Sequence, residues 1–223
     1  MRFVRENSLS LFFLTIFLLA LVGQAIAGHA QYNNDQIAHM SETVSFWRYV
    51  ASSEFGQAVM ENWQSEYLQF TLYIGTTIWL HQRGSPESKQ LDEIGTESDA
   101  KQRVGGHAHS DSPRWARARG LRLWLYSNSL LIVMTTIFLA AWFAYSVTGW
   151  SAYNAEQLEH HEQAVGWLGF VGTADFWEAT LENWQSEFLA VGSMAVFSIY
   201  LRQRGSPESK PVGASHEATG VES

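Results

Sequence analysis

The sequence predicts an all-α, polytopic membrane protein with four transmembrane helices, built as a tandem parallel duplication of a two-helix unit. Three observations predict this fold class: clustered apolar residues, a repeat with a constant offset, and a one-sided distribution of basic residues. A helix needs about 20 apolar residues to cross a bilayer core. The apolar clusters lie at residues 8–27, 67–80, 123–155 and 188–201, so the first and third are long enough without their flanks.

The repeat is visible in two motifs that recur 121 positions apart. Glu-Asn-Trp-Gln-Ser-Glu occupies residues 61–66 and 182–187, and Gln-Arg-Gly-Ser-Pro-Glu-Ser-Lys occupies residues 82–89 and 203–210. Each unit contributes an even number of spans, so both copies are predicted to share one orientation, related by an axis along the membrane normal. The predicted organisation is a first two-span repeat at 1–89, a disordered cytoplasmic linker at 90–113, a second repeat at 114–210 and a disordered tail at 211–223.

The first apolar cluster has the features of a secretory signal, with Arg2 and Arg5 before it and small residues at its end. The repeat favours a different interpretation. Asn7 begins an Asn-Ser-Leu sequence that recurs at Asn128, at the same offset of 121 as the later motifs. The cluster is therefore predicted to be a retained first span.

Basic residues predict the orientation, because Lys and Arg concentrate in short cytoplasmic segments. Thirteen of the 14 Lys and Arg residues fall in the segments on one side of the predicted spans, and Arg48 is the exception. Twelve of the 22 acidic residues fall on the other side. Both termini and the linker are therefore predicted to be cytoplasmic.

Composition excludes several classes of site. The chain has no cysteine, so disulfides, thiolate catalysis and Cys-based zinc sites are excluded. A formal net charge of −8 without a clustered basic surface argues against nucleic acid as a partner. No phosphate loop, catalytic triad, zinc-protease or dinucleotide motif is present. We therefore expect no enzymatic activity, no cofactor and no metal site.

The outer segments are predicted to lie at the membrane interface. Residues 43–51 and 164–172 are aromatic-rich but too short to span, which is typical of interfacial segments. Ser52-Ser53 and Thr173-Ala174 are suitable helix starts, with an acidic residue in the first turn. One continuous helix is predicted from each start through the second and fourth spans.

Two carboxylates are the principal candidate site. Glu66 precedes Arg83 by seventeen residues, which is about 25 Å of helix, whereas a hydrocarbon core is roughly 30 Å thick. Glu66 and Glu187 are therefore predicted at the outer boundary of the apolar layer or just inside it. Carboxylates at that depth indicate function by default, as a shared proton or cation site. The predicted partners are Asn62, Asn183, His39 and His160.

A structural interpretation of the same carboxylates stays open. A glutamate beside Trp63 or Trp184 at a helix end can extend its carboxylate to the membrane–water interface without binding a proton or a cation. Below Glu66, a polar stripe continues in the first copy only, where the second copy is apolar. Its residues are Gln69, Tyr73 and Thr76, and their counterparts are Ala190, Met194 and Phe197. A conducting path would be lined by the second span, whereas ordinary helix packing explains the stripe equally.

The repeated Glu-Asn-Trp-Gln-Ser-Glu and Arg-Gly-Ser-Pro-Glu-Ser blocks, with an Asn-Ser-Leu helix start and Gly23-Gln24, resemble a bacterial family. It comprises small integral membrane proteins classed as a domain of unknown function. The resemblance covers both repeats and implies a bacterial inner membrane, without an activity or a functional residue. The second repeat departs from it with Ala144-Tyr145 in place of Gly23-Gln24.

Two functional hypotheses follow. The first is binding or permeation of a small ion or solute through the outer carboxylates. The alternative is a non-catalytic membrane scaffold or accessory subunit. The expected partners are the lipid bilayer and either a second copy of the chain or another membrane protein.

Overall fold

The computed structural model describes residues 2–221, and within them the protein is all-helical, with eight α-helices and no strand. The helices are α1 Arg2–Glu6, α2 Ser8–Ala38, α3 Phe46–Val50, α4 Ser53–Thr76, α5 Leu121–Ser127, α6 Ser129–Glu159, α7 Trp167–Val171 and α8 Ala174–Tyr200. Short 3₁₀ turns lie between α4 and α5, at Leu91–Glu93, Gly105–His107 and Arg114–Arg117.

Two helices, α2 and α6, are long and apolar enough to cross a membrane. Each has 31 residues, which is about 46 Å of helix. Only 6% of the most apolar 18-residue stretch of α2 is buried, against 22% for α6. An apolar helix that stays uncovered by its own chain is what a lipid-facing span requires, so the first and third predicted spans have suitable helices.

The second and fourth predicted spans do not meet the same criterion of length and hydropathy. Their helices, α4 and α8, combine an acidic first half with an apolar second half, which lowers the mean hydropathy of any long window. α4 also ends at Thr76, before the predicted run ends at Leu80. Residues 77–79 continue as turns, in which the amides of Trp79 and Leu80 both donate to the carbonyl of Thr76.

By contacts, the chain forms two compact units. The first comprises Met1–Met60 and Ala144–Val171, and the second comprises Glu61–Phe143 and Gly172–Ser223. Each unit therefore contains segments from both halves of the sequence. The predicted boundaries at 89, 113 and 210 separate the two repeats, the linker and the tail along the sequence. They stay predictions.

In the first unit, two asparagines fix the chain after α2 and α6. The side chain of Asn33 donates to the Val44 carbonyl at 3.0 Å and accepts from the Val44 amide at 2.8 Å. Asn154 makes the same pair of bonds with Val165, both at 2.9 Å. Each asparagine thereby pairs with both backbone groups of a valine in the segment that precedes the next short helix. These bonds position α3 and α7.

Aromatic side chains then cover the glycines of α2 and α6. The Tyr49 ring of α3 packs on Gly28, where a Cβ atom would collide with the phenol oxygen. The Phe170 ring of α7 packs on Gly149, where a Cβ atom would lie 3.0 Å from the ring. Both aromatic residues are buried. Glycine is favoured at these helix positions because the short helices α3 and α7 approach closely.

In the second unit, the two Gln-Arg-Gly-Ser-Pro-Glu-Ser-Lys segments adopt one loop structure, and we call them the stop segments, 82–89 and 203–210. The hydroxyl of Ser88 accepts from the Gln82 amide at 2.9 Å, and that of Ser209 accepts from the Gln203 amide at 2.9 Å. The glycines have the same φ of 84°. The shared serine positions thus close both loops in the same way.

Candidate functional site

The two Glu-Asn-Trp-Gln-Ser-Glu motifs lie on α4 and α8, as predicted. Helix α8 begins with an N-cap, in which the Thr173 hydroxyl accepts from the Phe176 amide at 3.2 Å. At α4 the Ser52 hydroxyl accepts from the Phe55 amide at 3.3 Å. These caps begin the helices nine residues before each motif, so both motifs are helical throughout.

The six predicted site residues occupy different environments. Glu66 and Asn62 are exposed on α4, whereas Glu187 and Asn183 are partly buried on α8. His39 and His160 are exposed at the ends of α2 and α6, and the ring of His39 bonds to the carbonyl of Asp35 at 2.8 Å. The four motif residues belong to the second unit and the two histidines to the first. The role of these residues as a shared proton or cation site stays a prediction.

One of the predicted residues has a specific inter-helix contact. The side chain of Asn183 donates to Glu61 at 2.8 Å and to the carbonyl of Ala179 at 2.9 Å. The first glutamate of one motif is thereby joined to the asparagine of the other. Burial raises the pKa of Glu61, as do the charges of Glu182 and Asp175, although the hydrogen bond from Asn183 lowers it.

A second inter-helix contact involves Gln64, which is not one of the six predicted site residues. The indole N–H of Trp184 donates to the side-chain carbonyl of Gln64 at 2.8 Å. Gln64 is fully buried, whereas Gln185, at the same place in the other motif, is exposed. The repetition of this glutamine in both motifs was the available signal of a structural role. Because the two motifs are identical, the sequence could not indicate which of the two glutamines is buried.

Aromatic rings surround this contact. Trp142 of α6 stacks on Phe176 with ring centroids 6.4 Å apart, and its ring lies 5.9 Å from that of Trp184. It also stacks on Phe138 at 5.7 Å and meets Trp177 edge-on at 6.1 Å. Such ring pairs add about 0.5–1.5 kcal/mol each beyond the area they bury. The cluster joins α4, α6 and α8 around the motif.

A cavity of about 240 Å³ lies between α4 and α8. Gln69 and Tyr73 line it from α4, opposite Ala190 and Met194 of α8. These are two of the three residues of the polar stripe and their two apolar counterparts, and the structure places them around one space, whereas Thr76 and Phe197 do not line it. The remaining lining residues are Phe70, Val191, Glu87 and Glu208.

The last two lining residues are the glutamates of the two stop segments. The phenol of Tyr73 donates to the carboxylate of Glu87, which ties the first stop segment to the cavity wall. Glu208 is the equivalent residue of the second stop segment. The cavity therefore has an apolar wall, a polar wall and two carboxylates, a composition suited to a small cation or polar solute.

Groups of three or more His, Asp or Glu side chains that could hold a metal ion are absent from residues 2–221. No curated protein and no solved structure matches the chain. The profile of a domain of unknown function, DUF6766, matches residues 1–221, which is nearly the whole chain. The resemblance noted from the repeated motifs is thus confirmed at the level of a family without known function, and the chain belongs to the DUF6766 family.

Proposed function

We propose that this protein binds a small ion or polar solute between α4 and α8 and lets it permeate a membrane. The cavity lined by Gln69, Tyr73, Ala190 and Met194 carries this proposal. A polar stripe on one helix that served only packing would be expected to bond to the facing helix. Here Gln69 and Tyr73 of the stripe line open space, and two carboxylates share that space.

The proposed topology has four spans with both termini in the cytoplasm of a bacterial cell. The asymmetry of basic residues supports the orientation. Helices of 24 and 27 residues, about 36 and 40 Å long, give α4 and α8 the necessary reach. The matched contacts of Asn33 and Asn154, 121 residues apart, support a duplication of one two-span module.

In this proposal Glu66 and Glu187 attract the ion at the outer end of the path, with Asn62 and Asn183 beside them on α4 and α8. Carboxylates near lipid are costly unless a partner or a cation compensates their charge. Within residues 2–221 neither Glu66 nor Glu187 has a hydrogen-bond or ion-pair partner, which leaves their oxygens open to a permeating cation.

Ion flux in reconstituted vesicles tests the proposal. A double variant, Glu66→Gln with Glu187→Gln, is expected to reduce cation flux at least tenfold relative to wild type. The matched control is Asp175→Asn with Glu178→Gln, which removes two exposed carboxylates of α8. Equal flux in both double variants would reject the role of Glu66 and Glu187. Absence of flux in wild type, with a stoichiometric membrane partner, would favour the scaffold alternative.

The orientation has its own test. A reporter that functions only in the cytoplasm should be active when it is fused after Ser223, and a reporter that functions only outside the cell should be inactive there. A fusion that is active only outside the cell would overturn the proposed topology together with the assignment of Glu66 and Glu187 to the outer side.

A further inference from the structure

The aromatic cluster of the second unit contains three buried polar groups that have no partner among the described residues. They are the side-chain N–H₂ of Gln64, the indole N–H of Trp142 and the hydroxyl of Thr180. Gln64 and Thr180 are both 0% exposed. A buried donor without an acceptor costs about 1–3 kcal/mol, so three such groups in one region require an explanation.

The three groups belong to α4, α6 and α8, which one hydrogen bond and two ring contacts join at this place. Trp184 of α8 bonds to Gln64 of α4 and lies beside the ring of Trp142 of α6. Thr180 is one turn before Trp184 and one turn after Phe176, and both of those rings contact Trp142. Residues four apart lie on the same helix face. Thr180 therefore faces the same ring as its two neighbours do.

The chemistry of the three groups defines what they can bind. Two are pure donors, N–H groups that require an acceptor, and the third is a hydroxyl that donates or accepts. The motifs around them carry Glu61, Glu66, Glu182 and Glu187, whose charge opposes an anion. A cation is opposed by the N–H donors themselves. The occupant that remains is an uncharged acceptor.

We propose that Gln64, Trp142 and Thr180 form a binding site for a structural water molecule at the junction of α4, α6 and α8. A buried water makes about three hydrogen bonds to otherwise unpaired polar groups, which is the number available here. The site is independent of the cavity between Gln69 and Met194 and of ion permeation. It stands on the hydrogen-bond requirements of the three side chains.

The sign of a stability change tests the proposal. Thr180→Val keeps the shape of the side chain and removes its hydroxyl. In a dry site this removes an unpaired polar group and raises the melting temperature, whereas in a hydrated site it removes a hydrogen bond. We expect the full-length Thr180→Val protein in lipid nanodiscs to melt about 2–4 °C below wild type. Thr180→Ser, which keeps the hydroxyl, should melt closer to wild type than Thr180→Val does. A Thr180→Val protein that melts at or above wild type overturns the proposal.

The indole of Trp142 gives a second readout. The ultraviolet resonance Raman difference between wild type and Trp142→Phe reports whether that indole N–H is hydrogen-bonded. We expect a hydrogen-bonded indole in protein dialysed against buffer that contains only water and salts beside the lipid. A free indole overturns the site. A hydrogen bond that forms only when the small-molecule fraction of a cell extract is added overturns water as its occupant.

Discussion

The side-chain nitrogen of Lys210 lies 2.6 Å from the main-chain carbonyl oxygen of Gly84. The last residue of the second stop segment thus contacts the glycine of the first. Lys210 is buried, and its nitrogen also lies 3.0–3.2 Å from the carbonyl oxygens of Ser215, His216 and Ala218, so that its three N–H groups are shared among four acceptors. Lys89, the equivalent residue, donates to the carbonyl of Gly95 at 2.9 Å. Both lysines thereby hold the chain that follows their stop segment.

Lys210→Met should detach the tail from the first stop segment. The change leaves four carbonyls without their charged donor, at a cost of about 1–3 kcal/mol. Hydrogen exchange should then accelerate at the amides of Gly84 and Gly220, which donate to Thr219 and Ser85 in the wild type. Lys101→Met, at a lysine that is half-exposed, serves as the control. Unchanged exchange at both amides would show that Lys210 does not hold the tail. The disorder predicted for residues 211–223 stays a prediction.

Asn33→Ala should destabilise the first unit. It removes both hydrogen bonds to Val44 and leaves the partly buried Val44 amide unpaired, which costs about 1–3 kcal/mol. The Val44 carbonyl keeps a partner, because it also lies 2.8 Å from the ring nitrogen Nε2 of His29. Thermal unfolding in nanodiscs measures the loss. Asn34→Ala is the matched control, because Asn34 is the adjacent residue and is exposed. Equal melting temperatures for the two variants would contradict the role of Asn33.

The two motif glutamines should differ in their effect on stability. Gln64→Leu removes the acceptor of the Trp184 indole and is expected to cost about 1–3 kcal/mol. Gln185→Leu, at the exposed counterpart, should stay within about 0.5 kcal/mol of wild type. Denaturation monitored by tryptophan fluorescence compares them. If Gln185→Leu is the more harmful change, the assignment of the buried copy is wrong.

Glu61→Gln should stabilise the protein at neutral pH and have little effect in acid. Glu61 precedes the apolar run 67–80, and its raised pKa means that the folded state disfavours its charge. Below about pH 4.3 the carboxyl is protonated in both states. As the pH rises, the unfolded chain ionises first, so wild type loses stability until Glu61 ionises in the folded state also. Glutamine avoids that loss. The melting temperature of Glu61→Gln should therefore exceed that of wild type by an amount that grows from pH 4 to pH 7. A difference in melting temperature that is constant over this range would contradict the burial of this charge.

Filling the cavity should block permeation if the proposed path is correct. Ala190→Phe places a ring opposite Gln69 and Tyr73 and is expected to reduce flux at least tenfold. Leu189→Phe adds a ring of the same size at a neighbouring position that is 68% exposed and lies outside the cavity lining. Vesicle flux with correctly folded protein measures both. A greater loss in Leu189→Phe would place the path elsewhere.

Much of the helical architecture is predictable because it depends on local sequence. The uncharged runs behind Asn7 and Asn128 predict α2 and α6, and Ser52 and Thr173 mark the starts of α4 and α8. The early end of α4 at Thr76 was not predicted, because the apolar run continues to Leu80 without a proline or a charge. The asparagine contacts of Asn33 and Asn154 were missed, although their common offset from Val44 and Val165 is visible in the sequence.

The sequence by itself determined that the chain is helical, that two of its helices are long and apolar enough for a bilayer, and that its basic residues are one-sided. These properties depend on the periodicity, length and charge of continuous segments. Only the tertiary structure decided that Gln64 is buried and Gln185 exposed, that Asn183 bonds to Glu61, and that Lys210 reaches Gly84. Identical local sequences cannot distinguish these positions, because burial and hydrogen bonding depend on what packs against each copy.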